Sequence, residues 1–323
     1  MCELCKHFKK SCNALQCYVV HLCLDERPTE KANEQKTWLA LSEIYKITSV
    51  EKTNLPTGTE EKDVPLMSEK YLGKNLYGFL IGMAAFSLFT LRFFKDAIKP
   101  PYEFNQFFKQ CFQIGNKSLP LVSITGFIMG LVFTMQSRPT LAKFGAQSWL
   151  PAMVAVAMVR EIAPVITGLI CAGKVGSGIG AELASMRVTE QIDAMEVSGN
   201  RPFKYLVVTR VLAATLMLPL LTILSDIISI AGSFIAVNLN GSTSLTLFLS
   251  HVFSSLDFSD VFPAIIKTFF FGFGIGIISC YKGYNSNRGT EGVGIAANTS
   301  VVLASLVIFI IDMIAVQLTN LFL

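Results

Sequence analysis

The chain has 323 residues, of which 52% are apolar and only 15% are charged, whereas ordinary soluble domains contain about 25% charged residues. This composition excludes a disordered or collagen-like chain, and a formal net charge of +4 is too small to indicate a nucleic-acid partner. Because the apolar residues fall into blocks of membrane-spanning length, the sequence predicts an all-α integral membrane protein.

The first segment, residues 1–70, is polar and contains five of the eight cysteines of the chain. No apolar run in this segment is long enough to cross a bilayer. We therefore expect a cytosolic, cysteine-rich extension that is poorly ordered. Cys2 and Cys5 have the spacing of zinc ligands, but a second pair is missing, so reduced thiols are the better interpretation.

Residues 71–323 are predicted to form one membrane domain. Its first apolar block, 76–94, contains small polar residues and ends in a basic cluster, which fits an interfacial helix at least as well as a span. Five stronger blocks follow, each at or near the length of about 20 residues that crosses the hydrocarbon layer. The predicted spans are 119–136, 149–172, 205–237, 261–281 and 300–323.

Lysine and arginine in the short loops predict the orientation of the chain, because such residues collect on the cytoplasmic side. Loops 173–204 and 282–299 carry basic residues, whereas 238–260 carries none. The first two loops are therefore predicted inside and the third outside. Loop 137–148, with two basic residues on the outer side, runs against the rule.

The most informative residues are charges inside the predicted spans. Arg160 and Glu161 lie near the centre of the second span, where an unpaired charge costs roughly 2.5–3.5 kcal/mol or more. Successive helical residues point about 100° apart, so we expect these two side chains to line two sides of a polar pocket or to reach separate counter-charges. Candidate partners are Lys267 and Asp312, with Asp226 as a further possibility. A buried ion network that only fixes helix packing is one interpretation, and a cavity for a polar substrate group is the other.

A short amphipathic helix is predicted at 189–197, between the second and third spans. Thr189 is expected to cap its start, and Glu190 and Asp193 suit the positive end of the helix dipole. Its apolar stripe consists of Val188, Ile192 and Met195. Because anionic lipids attract basic rather than acidic helices, we expect this helix to dock onto a cytosolic protein.

Several glycine patterns look like nucleotide-binding motifs but lack their essential parts. Residues 168–175 match a phosphate-binding loop except at Val175, which replaces the hydroxyl residue that would hold magnesium. The three histidines, His7, His21 and His251, lie in no cysteine or serine context that suggests catalysis. We therefore predict no catalytic residue, no metal site and no cofactor bound by this chain. Gly272 and Gly276 in the fourth span instead predict close helix contact.

Four segments of the sequence resemble the MlaE/YrbE permease family, the membrane subunits of ABC lipid transporters that work with MCE-domain proteins. The resemblance covers about residues 100–323. Its most specific part is the long run Glu-Leu-x-x-Met-x-Val-Thr-Glu-Gln-Ile-Asp. The matching segments are 160–165, 172–177, 181–196 and 205–210.

The resemblance implies a homodimeric permease that moves phospholipid between the inner membrane and an MCE-domain partner. ATP and magnesium would be used by a separate ATPase subunit, so this chain itself would not be an enzyme. The implied cavity charges are Arg160, Glu161, Lys267 and Asp312. The implied lipid contacts are Phe133, Leu141 and Phe144. The implied ATPase-coupling residues are Glu182, Arg187, Thr189, Glu190, Gln191, Asp193 and Glu196.

Two other functions stay open at this point. Glu161 and Asp312 would also suit a proton-coupled secondary transporter of lipid or another hydrophobic solute, and a non-transporting scaffold needs the charges only for packing. The expected location is a bacterial cell inner membrane, with a plastid inner envelope as the alternative.

Overall fold

The computed structural model describes residues 74–99, 103–239, 243–286 and 289–322, all within one compact unit, Glu69–Leu323. The predicted extension 1–70 lies outside the described residues. Across the described ranges the elements are helical and no strand occurs. The helices are α1 (Lys74–Ile98), α2 (Phe104–Lys143), α3 (Gln147–Val188), α4 (Gln191–Val197), α5 (Phe203–Asn238), α6 (Leu245–Ser255), α7 (Phe258–Tyr284) and α8 (Thr290–Phe322).

Five of these helices, α2, α3, α5, α7 and α8, are long and apolar enough to cross a membrane. Over the described residues they contain the five predicted spans, so the all-α membrane architecture is confirmed. Helix α1 contains the block 76–94 and does not meet the same criteria among the described residues. Its interfacial position stays a prediction.

The loop predicted at 238–260 contains a helix that the sequence analysis did not find. Ser244 caps the start of this helix, since its side-chain oxygen accepts a hydrogen bond from the Leu247 amide at 3.4 Å. The apolar face of α6 then packs against the start of α3, where Phe248 and Val252 join Leu150 in a small core. Helix α6 therefore closes the end of the bundle opposite to α4.

Helices α2 and α5 pack along a seam of small residues. Gly126 and Gly130 face Ser225 and Ser229 so closely that an added Cβ atom would overlap them. Further along the seam, Thr134 and Ser233 join their hydroxyl groups at 2.7 Å. Small side chains bring helix backbones together in this way in membrane bundles.

A second close approach joins α5 and α7. A Cβ atom added at Gly272 would lie 2.6 Å from the Ala214 carbonyl oxygen, and one added at Gly276 would lie 3.0 Å from the Val211 Cα atom. The predicted helix contact at Gly272 and Gly276 is therefore confirmed. It fixes the position of α7, which carries Lys267.

Helix α3 is continuous but contains two wide turns, Met158–Ile162 and Ala172–Gly176. The first turn precedes Pro164, which has no amide hydrogen to donate to the Arg160 carbonyl and whose ring crowds that carbonyl. A wide turn accommodates this defect without ending the helix. Arg160 and Glu161 therefore lie on a locally irregular backbone.

Candidate functional site

Three charged side chains from three helices meet inside the bundle. The Lys267 ammonium on α7 donates to Glu161 Oε2 on α3 at 2.7 Å and to Asp312 Oδ1 on α8 at 3.0 Å. Lys267 is buried, Asp312 is mostly buried, and the Glu161 side chain is 45% exposed. We call Glu161, Lys267 and Asp312 the charge cluster. It offers one partly open carboxylate.

Arg160 lies beside the charge cluster but pairs elsewhere. Its Nε atom is 3.4 Å from Asp260 Oδ1, in the first turn of α7. Separate counter-charges for Arg160 and Glu161 are thus confirmed, but the proposed partners of Arg160 were wrong. Asp260 was missed because it falls in the predicted outer loop, although it precedes Lys267 by about two helical turns and so shares its face.

Asp226 does not join the charge cluster. It lines a separate cavity of about 150 Å³ together with Val159, Thr222 and Ala264. Its Oδ1 atom is buried without a hydrogen-bond partner in the described part of the chain. The sequence analysis offered Asp226 as a partner for the α3 charges, and no such contact forms.

The charged side chains contribute to the walls of three separate spaces. A small cleft of about 30 Å³ is lined by Arg160, Glu161, Asp260 and Lys267. Two larger grooves have mainly apolar walls. The α3 groove, about 620 Å³, includes Trp149, Ala152, Met153, Val156, Arg160 and Glu161. The α7–α8 groove, about 770 Å³, includes Phe262, Ile266, Lys267, Phe270, Ile311 and Ile314. Apolar grooves that end at charged groups suit an amphiphile.

The residues implied as lipid contacts lie at the end of α2. Phe133 and Leu141 are half-buried and pack against the small core that contains Leu150. Phe144, just beyond α2, is 80% exposed. None of these three side chains lines the α3 groove or the α7–α8 groove, so their contact with lipid stays a prediction.

The predicted cytoplasmic helix begins later than expected. Thr189 is not its cap, because its hydroxyl donates to the Ser185 carbonyl at 2.9 Å at the end of α3. Glu190 then turns the chain in the left-handed conformation, with φ of 58°, and α4 begins at Gln191. The turn makes α4 a separate element that lies against the bundle.

The apolar stripe of α4 faces this chain and not a partner, which corrects the interpretation made from the sequence. Ile192 is fully buried, and Met195 packs against the same core. Arg187 on α3 donates to the Asp193 carboxylate and ties the two helices together. The stripe is therefore the attachment of α4 to its own protein.

The opposite face of α4 is exposed and polar. Glu190, Gln191 and Glu196 are exposed there, and Val197 is 91% exposed. Glu182, also implied in coupling, instead accepts a hydrogen bond from the buried Arg210 at 2.8 Å.

These features define a class: a multi-pass membrane protein with an amphiphile-sized groove at intramembrane charges and a short helix exposed at one end. The sequence model described as Permease MlaE matches residues 107–318. The chain therefore belongs to the MlaE permease family and is the permease subunit of an ABC transporter, a class that works with an ATPase partner.

Individual relatives agree with the family assignment. A probable ABC transporter permease of Rickettsia prowazekii is 39% identical over 247 residues, covering 76% of this chain and 95% of the relative. A protein of the same description from Synechocystis is 38% identical, covering 62% of this chain and 77% of the relative. One from Pyropia yezoensis is 38% identical, covering 65% of this chain and 80% of the relative.

Proposed function

We propose that this chain is the permease subunit of an ATP-driven phospholipid transporter. The observation that carries the proposal is the meeting of apolar grooves with Arg160, Glu161 and Lys267. A phospholipid has both parts that such a space requires, acyl chains for the grooves and a charged head group for their polar end. Intramembrane charges of this kind commonly mark a substrate path.

The functional unit in this proposal is a homodimer. Helix α8 has the most apolar span, yet only 11% of its most apolar stretch is buried within the chain. Phe309, Ile310 and Met313 lie exposed on it. A second copy against this side would enclose the α7–α8 groove, which a single chain leaves open.

The two ends of the bundle would meet different partners. A cytosolic ATPase subunit would contact the exposed face of α4, where Glu190, Gln191 and Glu196 lie. An MCE-domain protein would meet the α6 end, which is nearer to Asp260 and the charge cluster. The proposed location is a bacterial inner membrane, supported by the Rickettsia and Synechocystis relatives, with a plastid inner envelope as the alternative.

Reconstitution tests the proposal directly. The chain is placed in liposomes with its ATPase subunit, and transfer of a labelled phospholipid to an acceptor MCE-domain protein is followed with and without ATP. We expect transfer that requires ATP and stops when the ATPase is inactivated. Transfer that continues without the ATPase, and stops when a proton gradient is collapsed, would instead support a proton-coupled transporter.

A further inference from the structure

The charges at the site are unequal in number. Two cations, Arg160 and Lys267, face three carboxylates, Glu161, Asp260 and Asp312. Lys267 is engaged by two carboxylates and is buried. The described site therefore has more carboxylates than cations. The Lys267 ammonium already has two carboxylate partners.

The remaining capacity for ligands lies at Arg160 and Glu161. The Glu161 side chain is 45% exposed, and the Arg160 side chain is 38% exposed and reaches Asp260 only through Nε. A guanidinium has five donors in a fork that suits phosphate. Both residues line the small cleft and the α3 groove, beside Trp149 and Met153 in the groove wall. A guanidinium that can bind phosphate and a carboxylate that can bind an ammonium group thus lie next to each other at the end of an apolar groove.

We infer that the site selects zwitterionic phospholipids whose head group ends in an ammonium, with the phosphate at Arg160, the ammonium at Glu161 and an acyl chain in the α3 groove. This inference rests on the proposed function and adds the head-group class. Glu161 is its specificity-determining residue.

Anionic phospholipids fit the same site poorly. A head group with a net negative charge brings a further anion into a region that already has more carboxylates than cations, where low polarity strengthens repulsion. A phosphate group that bound Lys267 would also have to displace the Glu161 or the Asp312 carboxylate. An ammonium instead fills the open carboxylate and leaves the charge cluster intact.

The test measures which lipid the full chain retains. The chain is reconstituted in nanodiscs that contain equal amounts of phosphatidylethanolamine and phosphatidylglycerol with the same acyl chains. It is then extracted in detergent, and bound lipid is counted by mass spectrometry. We expect phosphatidylethanolamine to exceed phosphatidylglycerol by about fivefold, near the upper limit that a partly exposed ion pair provides.

Two matched variants separate head-group recognition from damage to the charge cluster. Glu161→Gln and Asp312→Asn each remove one of the two carboxylates that hold Lys267, but Asp312 lines neither the small cleft nor the α3 groove. We expect Glu161→Gln to bring the lipid ratio close to one. We expect Asp312→Asn to keep an excess of phosphatidylethanolamine, and thermal melting of both variants reports any shared loss of stability.

The outcomes distinguish this inference from the proposed function. Retention of phospholipid without preference, or with a preference for phosphatidylglycerol, would overturn the head-group inference and leave the proposed function standing. An unchanged ratio in Glu161→Gln, or an equal loss of preference in Asp312→Asn, would also overturn it. If the wild-type chain retained no phospholipid, both would fail.

Discussion

The single ammonium group of Lys267 joins three membrane helices. It reaches Glu161 and Asp312 from a buried position on α7. A buried ion pair adds little net stability compared with apolar packing, but removing one partner leaves the others uncompensated. The charge cluster is therefore sensitive to loss of its one cation.

Replacing Lys267 with Met should destabilise the chain, because Glu161 and Asp312 would face each other without a counter-charge. We expect a loss of about 3 kcal/mol, at the lower end for a broken buried pair since Glu161 is partly exposed. Thermal unfolding in detergent measures this loss. Lys143→Met, at an exposed position at the end of α2, serves as the control, and equal melting of the two variants would contradict the prediction.

At the residue scale, the sequence predicts charges in apolar runs well and their contacts less well. Glu161, Lys267 and Asp312 stand out because charge is costly inside a span. Asp260 does not stand out, because the apolar run begins after it while the helix begins before it at Phe258. The partner of Arg160 thus depended on a helix boundary that hydropathy does not mark.

At the scale of elements, the seam between α2 and α5 depends on the absence of side chains. Gly130 lies against the Ser229 carbonyl, with no space for a Cβ atom. A helical glycine is normally a cost of roughly 1 kcal/mol relative to alanine. The close backbone approach offsets that cost here.

Gly130→Ala should therefore separate α2 from α5 and lower the melting temperature, as overpacking typically costs about 1–3 kcal/mol. Gly178→Ala is the matched comparison, because nothing lies within 4 Å of its added Cβ atom. We expect Gly178→Ala to leave the melting temperature unchanged or raise it. A Gly130→Ala variant as stable as the wild type would show that the seam can shift without loss.

Helix α4 has two faces whose mutations should have different effects. Ile192→Ala removes a fully buried side chain and should destabilise the chain by about 2–5 kcal/mol. Glu196→Lys changes the exposed face and should leave melting unaffected while weakening co-purification of the ATPase subunit. If Glu196→Lys retained the ATPase at wild-type levels, the exposed face of α4 would not be the docking surface.

The amphipathic pattern of α4 was visible in the sequence, but its orientation was not. An apolar stripe predicts that one face of a helix is buried, but it does not show whether that face packs against its own chain or against a partner. Ile192 and Met195 pack against their own chain, and the start of α4 is set by the left-handed Glu190 rather than by Thr189. A glutamate in this conformation is unusual, so sequence alone favoured the ordinary cap.

For the whole molecule, the five spans define two ends that should lie on opposite sides of the membrane. Helix α4 lies at one end and α6 at the other. The distribution of basic residues predicts that α4 is cytoplasmic. The apolar runs were sufficient to predict the number of spans, whereas helix α6 was missed because its 11 residues are too few to cross a bilayer.

Labelling of single introduced cysteines tests this orientation. Val197→Cys and Phe253→Cys place thiols at exposed positions in α4 and α6. We expect an impermeant maleimide to react with Phe253→Cys in intact cells or right-side-out vesicles, and with Val197→Cys only after the membrane is opened. The wild-type chain gives the background from its own cysteines. The reverse pattern would show that the chain is inserted with α4 outside.

Helix α3 carries two of the contacts described above, one near its carboxyl end and one near its middle. Near one end, Arg187 holds α4, and further along, Glu161 holds Lys267. The wide turn Ala172–Gly176 lies between these two contacts. A displacement of α4 that follows α3 toward the charge cluster therefore crosses an irregular stretch of backbone.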